Sequence, residues 1–299
     1  ATIALGVVLG FAGASFAVAL PLASRWYGPE HQGTANGIAG MGNSGTVLAS
    51  LFAPLLAKAF GWNAVLGLAV IPLAIVFVIY MVMAKDAPNP PAPKSLANYM
   101  SVLKKADAWW FMLFYSVTFG GFVGLAASLS IYFTDQFALT PVIAGYCTAA
   151  CVFAGSLVRP MGGALADRIG GTKTLMGVYL FAAAMLIAIS TGPTTVAMAL
   201  GLFVLAMLAL GVGNGAVFQL VPQRFKDEMG VMTGLVGFAG GVGGFYLASS
   251  LGLAKQWTGS PQLGFLIFAG LALVAFFSMA GVKARWRATW TTALEGARI

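Results

Sequence analysis

The chain has 299 residues, of which 60% are apolar and only 8% are charged, against about 25% charged residues in an ordinary soluble domain. This composition excludes a soluble globular protein. The formal net charge of +8 does not indicate nucleic-acid binding, because the basic residues are spread over short connections and form no single face. The apolar runs contain no nucleophile, acid pair or metal-ligand cluster, so we expect no enzyme activity, no cofactor and no metal site.

Apolar runs close to the ~20 residues that a membrane-crossing helix needs recur along the whole chain. They predict an all-α, polytopic membrane helix bundle of about nine transmembrane helices, at approximately residues 2–24, 33–57, 62–84, 108–132, 142–166, 172–192, 195–221, 230–254 and 262–282. The 39 glycines fit this class, because small residues let membrane helices approach each other closely.

The longest polar break divides the predicted helices into two groups, and four prolines within six residues predict that it is stiff and extended. We interpret residues 1–84 as three helices of an N-terminal bundle, 85–107 as a cytoplasmic linker, and 108–299 as a C-terminal six-helix bundle with a short cytoplasmic tail. The chain begins without Met inside an apolar run. We therefore expect an N-terminally incomplete protein, with three helices missing from a six-plus-six transporter arrangement.

The basic residues predict the orientation in the membrane. Alternate connections hold 13 of the 16 lysines and arginines, namely Arg25, Lys85, Lys94, Lys104, Lys105, Arg168, Lys173, Arg224, Lys226, Lys283, Arg285, Arg287 and Arg298. The other connections hold only Lys58 and Lys255. The positive-inside rule then predicts a multi-pass protein of the cell membrane with a cytoplasmic C-terminus.

The remaining basic residue, Arg159, lies deep inside an apolar run. An ionisable group there costs roughly 2.5–3.5 kcal/mol and usually marks a substrate pathway or an ion pair. All eight acidic residues fall in or beside connections, and a guanidinium without a carboxylate partner suits flat oxyanions such as nitrate or a carboxylate. Two alternatives stay open. Arg159 could bond to helix carbonyls freed by Pro160 or extend to the interface, or an acid in the missing helices could pair with it.

Residues 162–173, GGALADRIGGTK, resemble the cytoplasmic loop motif of the major facilitator superfamily, G-x-L-x-D-R-x-G-x-K. In that superfamily the acid and the bases latch neighbouring helices while the carrier changes state. The resemblance assigns this latch role to Asp167, Arg168 and Lys173. The plain alternative is positive-inside charge followed by a helix stop.

Two glycine-rich segments look like the nitrate signatures of the nitrate/nitrite porter family within that superfamily, residues 37–45, GIAGMGNSG, and residues 234–245, GLVGFAGGVGGF. Residues 211–222, GVGNGAVFQLVP, are similar to the helix before the second signature. Glycine stripes also serve simply as close-packing faces. The residues that we assign to the signatures and to helix packing are Gly40, Gly42, Gly45, Gly240, Gly243 and Asn214.

The resemblance covers the whole chain as the family's fourth to twelfth helices and implies an anion site. Arg159 matches the second of two nitrate-binding arginines. Tyr115 matches a tyrosine that bonds the anion, Phe119 and Phe16 match aromatic rings that pack over it, and Asn43 matches a polar contact. Tyr115 and Phe119 are four residues apart and share a helix face, as lining residues must.

These residues predict transport of nitrate, nitrite or both by alternating access between two bundles. We expect a monomer in the lipid bilayer, with protons as a candidate coupling ion. The alternatives are a major facilitator carrier of a small organic anion and an anion sensor that does not transport.

Overall fold

The computed structural model describes residues 15–85 and 100–290, without the side chains of Ser15, Phe16 and Pro29. Regular structure in these ranges is helical throughout. The α-helices are α1 Ser15–Ser24, α2 Gln32–Gly40, α3 Gly45–Phe60, α4 Trp62–Leu68, α5 Val70–Met83, α6 Ala106–Phe137, α7 Pro141–Leu157, α8 Arg159–Ile169, α9 Gly171–Ser190, α10 Val196–Arg224, α11 Met229–Thr258 and α12 Gln262–Trp290. Short 3-10 helices lie at Pro29–His31, Met41–Ser44 and Ser101–Lys104.

Eight helical stretches in the described ranges are long and apolar enough to cross a membrane. They correspond to eight of the nine predicted spans and confirm the polytopic helical class. Of the predicted span 2–24, only α1 is described. Most of the predicted linker 85–107 also lies outside the described residues, and α6 begins at Ala106, two residues before the predicted boundary.

Helices from the two sides of the predicted linker pack against each other. α6 packs along α11, and α9 packs along α10 and α12, so the later helices form one continuous core. The earlier helices contact this core at several places: α1 meets α11, α2 meets α8 and α10, and α3 meets α7. The most apolar early stretch, Trp62–Met83, has a mean hydropathy of 2.8 and no buried residue in its window, as expected of a lipid-facing helix.

Three of the predicted spans are divided into two helices each: the span 62–84 is divided at Ala69, and two others are divided close to Arg159. The span 142–166 contains α7 and α8, which are separated at Val158. Pro160 explains this break, since proline lacks the N–H of the helix ladder and clashes with the preceding turn. The span 33–57 contains α2 and α3, separated by the 3-10 turn Met41–Ser44. The two breaks lie side by side and form the candidate site described below.

A charged cluster joins the ends of α6, α10 and α12. Asp107 is 5% exposed and accepts hydrogen bonds from Arg224 Nε at 2.6 Å, from the Trp286 indole at 2.9 Å and from Arg285 Nη2. Buried carboxylates need such paired and hydrogen-bonded surroundings. This residue was predicted to lie in the linker, yet it anchors three helices of the core.

Glycines bring α6 and α11 into backbone contact. A Cβ at Gly243 would lie 2.8 Å from the carbonyl carbon of Ser116, and one at Gly120 would lie 2.7 Å from the Gly243 Cα. Backbone atoms cannot move aside as a flexible side chain can, so these positions accept no larger residue without helix displacement.

We expect Gly243→Ala to destabilise the protein by about 1–3 kcal/mol through overpacking. Gly241→Ala is the matched control on the same helix, because no described atom would lie within 4 Å of its new Cβ. Thermal unfolding of the purified protein in detergent measures both. Equal melting temperatures for the two variants would contradict the close contact.

Candidate functional site

The Arg159 side chain lies between the break at Val158 and the break at Met41–Ser44, and it is 1% exposed. Its Nη1 donates to the Gly40 carbonyl at 2.8 Å, and its Nη2 donates to the Tyr115 hydroxyl at 3.1 Å. The guanidinium carbon lies 5.6 Å from the centroid of the Phe119 ring, within the range of a cation–π contact. Nε is buried and has no hydrogen-bond partner. The side chain therefore reaches neither lipid headgroups nor a carbonyl of its own helix.

Arg159 keeps its positive charge uncompensated within the described part of the chain. Four ion pairs are formed there, by Lys105, Arg224, Lys255 and Arg285, and none of them includes Arg159. Its partners are a carbonyl, a hydroxyl and a ring, all of them neutral. A buried cation with neutral partners lacks the ionic pairing that normally repays its desolvation.

The charges at the two ends of α8 interact unfavourably with the dipole of their own helix and favourably with the dipole of α2. Arg159 is the first residue of α8 and Asp167 lies in its last turn, whereas acids are favoured at a helix N-terminus and bases at its C-terminus. Arg159 instead bonds to Gly40, the last residue of α2. Asp167 accepts from the N–H groups of Gly33 and Thr34, at the start of α2, at 3.1 and 3.0 Å.

Asp167 thereby caps α2 from another helix. It also accepts from the Thr34 hydroxyl at 2.9 Å, and α2 has no side-chain cap of its own. A Cβ at Gly33 would lie 2.6 Å from the Gly163 carbonyl oxygen, so α2 and α8 are in close backbone contact between their capped ends. Of the other predicted latch residues, Arg168 and Lys173 are exposed at the junction of α8 and α9.

Two of the three aromatic residues predicted to line the site, Tyr115 and Phe119, lie beside Arg159. The rings of Tyr115 and Phe119 stack with centroids 4.9 Å apart and planes 9° apart, and the edge of Phe218 meets Tyr115 at 5.0 Å. Tyr115 is fully buried. α6 and α10 therefore supply an aromatic wall next to the guanidinium.

One glycine of each predicted signature borders this site. A Cβ at Gly40 would lie 3.0 Å from the guanidinium carbon of Arg159, and one at Gly240 would lie 2.6 Å from the Phe119 ring. Both glycines therefore let a backbone approach the site. No described atom would lie within 4 Å of a Cβ at Gly42 or Gly45, and their assignment to packing stays a prediction.

For two further residues that were predicted to contact the anion, the structure provides only part of the evidence. Asn43 lies in the 3-10 turn that follows Gly40, and its amide nitrogen is buried without a partner. Phe16 lies in α1, which packs against α11, but its side chain is outside the described residues. The binding roles of both residues stay predictions.

Asn214, which the sequence assigned to helix packing, is a candidate contact that sequence reasoning missed. It is 1% exposed, and neither its amide oxygen nor its amide nitrogen has a hydrogen-bond partner. The neighbouring Gly215 packs on the backbone of α8, where a Cβ would lie 2.6 Å from the Gly163 nitrogen. Phe218, one turn along the same face, contacts Tyr115. The only signal for a binding role of Asn214 is its unsatisfied polar side chain on this face of α10, and this signal is visible only in the structure.

The arrangement combines an uncompensated cation, unpartnered donors at Arg159 Nε, Asn43 and Asn214, and an aromatic wall. A buried guanidinium with a free N–H can bind an oxyanion, because the N–H forms a charge-assisted hydrogen bond with it. The mostly apolar surroundings strengthen these contacts by excluding water.

Comparison with known proteins identifies the family of this chain. Residues 1–248 match the Major Facilitator Superfamily. The chain is 34% identical over 275 residues to the nitrite extrusion protein of Bacillus subtilis, an alignment that covers 92% of this chain and 69% of that protein. It is 32% identical over 303 residues to the probable nitrate/nitrite antiporter NarK1 of Thermus thermophilus, with 91% and 68% covered.

A third relative is the probable nitrate transporter NarT of Staphylococcus carnosus, which is 34% identical over 275 residues, with 92% of this chain and 70% of that protein covered. The superfamily match, over residues 1–248, extends into both predicted bundles. The chain belongs to the nitrate/nitrite porter family of the major facilitator superfamily.

Proposed function

We propose that the protein transports nitrate, nitrite or both across the cell membrane by alternating access, with the anion bound at Arg159. The observation that carries this proposal is the fully buried guanidinium, whose partners among the described residues are all neutral and which a glycine of each signature borders. Relatives named as nitrite extrusion and nitrate transport proteins support the same cargo.

In the proposed binding step, the anion takes the place of the Gly40 carbonyl on Arg159. A charge-assisted hydrogen bond to an oxyanion is about twice as strong as one to a neutral acceptor, so the exchange is favourable. Tyr115 keeps its hydroxyl on the guanidinium and orients it, while the stacked Tyr115 and Phe119 rings exclude water. Asn43 and Asn214 supply the neutral donors.

In the proposed transport step, α2 separates from α8 and α10. Three groups of hydrogen bonds hold them together: Asp167 with the start of α2, Asn36 Nδ2 with the Phe218 carbonyl at 3.0 Å, and Arg159 with Gly40. An anion that draws Arg159 away from Gly40 removes the third of these contacts and leaves the other two in place. Loading of the site and opening of this contact are thereby coupled.

The basic connections favour an orientation with the C-terminus and the Asp167 end of α8 in the cytoplasm. The division into bundles at residues 85–107, a monomeric state and protons as coupling ion stay predictions. Exchange of one anion for another is the simplest coupling that fits a site of this charge, because each direction of movement then carries a neutralised Arg159.

We expect Arg159→Lys to reduce nitrate uptake into proteoliposomes by about tenfold to 100-fold, because an ammonium cannot hold Tyr115 and the anion with a planar fork. Arg25→Lys is the matched control, since Arg25 is partly exposed after α1 and forms no ion pair with an acid in residues 15–85 or 100–290. Near-normal uptake by Arg159→Lys would refute the binding role.

We expect Asn214→Leu to separate stability from function. Leucine removes a buried amide that makes no hydrogen bond, so the melting temperature should be unchanged or higher. The KM for nitrate should rise by about threefold to tenfold, as expected for loss of one hydrogen bond to the anion. A variant with lower stability and an unchanged KM would assign Asn214 to packing.

We expect Asp167→Asn to lower the maximal rate of exchange several-fold with little change in KM, because it weakens three hydrogen bonds to α2 without touching the anion site. Asp135→Asn is the matched control at the opposite end of the later bundle. Initial rates over a range of nitrate concentrations provide both parameters. A change confined to KM would contradict a role in conformational exchange.

A further inference from the structure

Pro222 removes the helical donor of one backbone carbonyl in α10. It lies inside this helix, two residues before the helix ends at Arg224. In a regular α-helix the carbonyl of residue 218 accepts from the N–H of residue 222, and proline has no N–H. The helix nevertheless continues past this point, because the Phe225 N–H donates to the Val221 carbonyl at 2.9 Å. The loss therefore concerns the carbonyl of Phe218.

Asn36 of α2 replaces the donor that Pro222 removes. Its Nδ2 donates to the Phe218 carbonyl at 3.0 Å, and the residue is 2% exposed. Buried backbone carbonyls need a hydrogen bond, and removal of a donor from a buried pair carries the desolvation penalty of the acceptor left behind. A side chain of one helix thus completes the hydrogen bonding of another.

The contact between Asn36 and Phe218 lies on one side of the anion site. Asn36 precedes Gly40 by four residues, which places it one turn, or about 6 Å, along α2 toward the helix end that Asp167 caps. The basic connections favour a cytoplasmic position for this helix end. With this orientation the contact lies between Arg159 and the cytoplasm.

Phe218 also connects this contact with the anion site. Its carbonyl accepts from Asn36, and its ring edge meets Tyr115 at 5.0 Å. The Tyr115 hydroxyl in turn accepts from Arg159. α2 therefore reaches the guanidinium by two routes, directly through the Gly40 carbonyl and indirectly through Phe218. Movement of α2 away from α10 interrupts both routes.

We propose that Asn36 is the gating residue between the anion site and the cytoplasm, and that its bond holds the gate closed because Pro222 has removed the helical donor to the Phe218 carbonyl. This inference rests on the proposed transport function and adds to it the residue that closes the cytoplasmic route.

The gate has two states that differ in the donor to this carbonyl. In the closed state the donor is the Asn36 amide. In the open state the donor is water that enters between α2 and α10. A complete helix bond would satisfy the carbonyl equally in both states and would remove this difference. Pro222 thereby makes the gate sensitive to Asn36.

Gln219 provides a reporter position at the gate. It is 1% exposed, and a Cβ at Gly33 of α2 would lie 2.9 Å from the Gln219 Cβ. A cysteine at this position is shielded while α2 and α10 are in contact and becomes reactive when they separate. The test therefore uses Gln219→Cys in the full chain, with the two native cysteines, Cys147 and Cys151, replaced by alanine.

The test measures the rate at which a membrane-impermeant maleimide labels this cysteine in inside-out membrane vesicles without nitrate. Asn36→Leu, Pro222→Ala and the double variant are compared with the parent protein. Asn63→Leu, which removes an exposed amide of α4, is the matched control for the first substitution. Pro54→Ala, which restores an N–H inside α3, is the matched control for the second.

We expect Asn36→Leu to raise the labelling rate about threefold to tenfold, because leucine supplies no donor to the carbonyl. Asn63→Leu should leave the rate unchanged. Combined with Pro222→Ala, Asn36→Leu should change the rate less than about twofold, because the helix then supplies the donor. Combined with Pro54→Ala, Asn36→Leu should keep its full effect.

An unchanged rate in Asn36→Leu, or an increase that Pro222→Ala does not suppress, would overturn the gate. If Pro222→Ala does not fold, the comparison of Asn36→Leu with Asn63→Leu decides. These measurements contain no anion, so their outcome is separate from that of the proposed function. Failure of the parent protein to exchange nitrate would contradict the function, whereas equal labelling of the two asparagine variants would contradict the gate alone.

Discussion

The buried charge of Arg159 is the constraint on which the rest of the site depends. In a low-dielectric interior a guanidinium must be compensated, and neutral acceptors compensate it only partly. Gly40 supplies a carbonyl because α2 ends at this residue. A 3-10 turn follows, and its hydrogen bonds run three residues back, so that carbonyls at the helix end are available. Tyr115 supplies the second acceptor. The site thus tolerates the cation without neutralising it, which is the condition for binding a mobile anion.

The same constraint links binding to movement. α8 carries a base at its first residue and an acid in its last turn, and each of these charges stabilises the opposite end of α2. The two helices therefore form one electrostatic unit across the two sides of the predicted linker. An anion competes for only one end of this unit, since Asp167 carries the same sign and is remote from the site. Binding weakens the contact between α2 and α8 without removing it. A two-state carrier requires such a shift in the equilibrium between its conformations.

The sequence was sufficient for the features that local chemistry determines. Apolar run lengths predicted the spans, and the position of Arg159 inside an apolar run predicted its burial without an acid partner in the described part of the chain. The spacing of four residues placed Tyr115 and Phe119 on one face. Pro160 signals the break before α8, whereas the break at Met41–Ser44 contains no proline and had no comparable signal.

Contacts between distant segments could not be predicted in this way. Arg159 and Gly40 are 119 residues apart, and Asn36 and Phe218 are 182 residues apart. Asp107 looked like a linker charge, because its partners Arg224 and Arg285 follow more than 100 residues later and only the packed helices bring the three together.

The shape of the proposed site, in addition to its charge, selects among anions. The stacked rings of Tyr115 and Phe119 have nearly parallel planes, and the planar guanidinium lies over Phe119. Gly40 and Gly240 keep the opposing backbones close to these flat groups. A planar oxyanion can lie parallel to the wall and present its oxygens to donors at the edge. A tetrahedral anion would direct one oxygen at the negative face of a ring and lose a donor. In the proposed site the flat rings, as well as the sign of the charge, therefore favour nitrate and nitrite over bulkier anions.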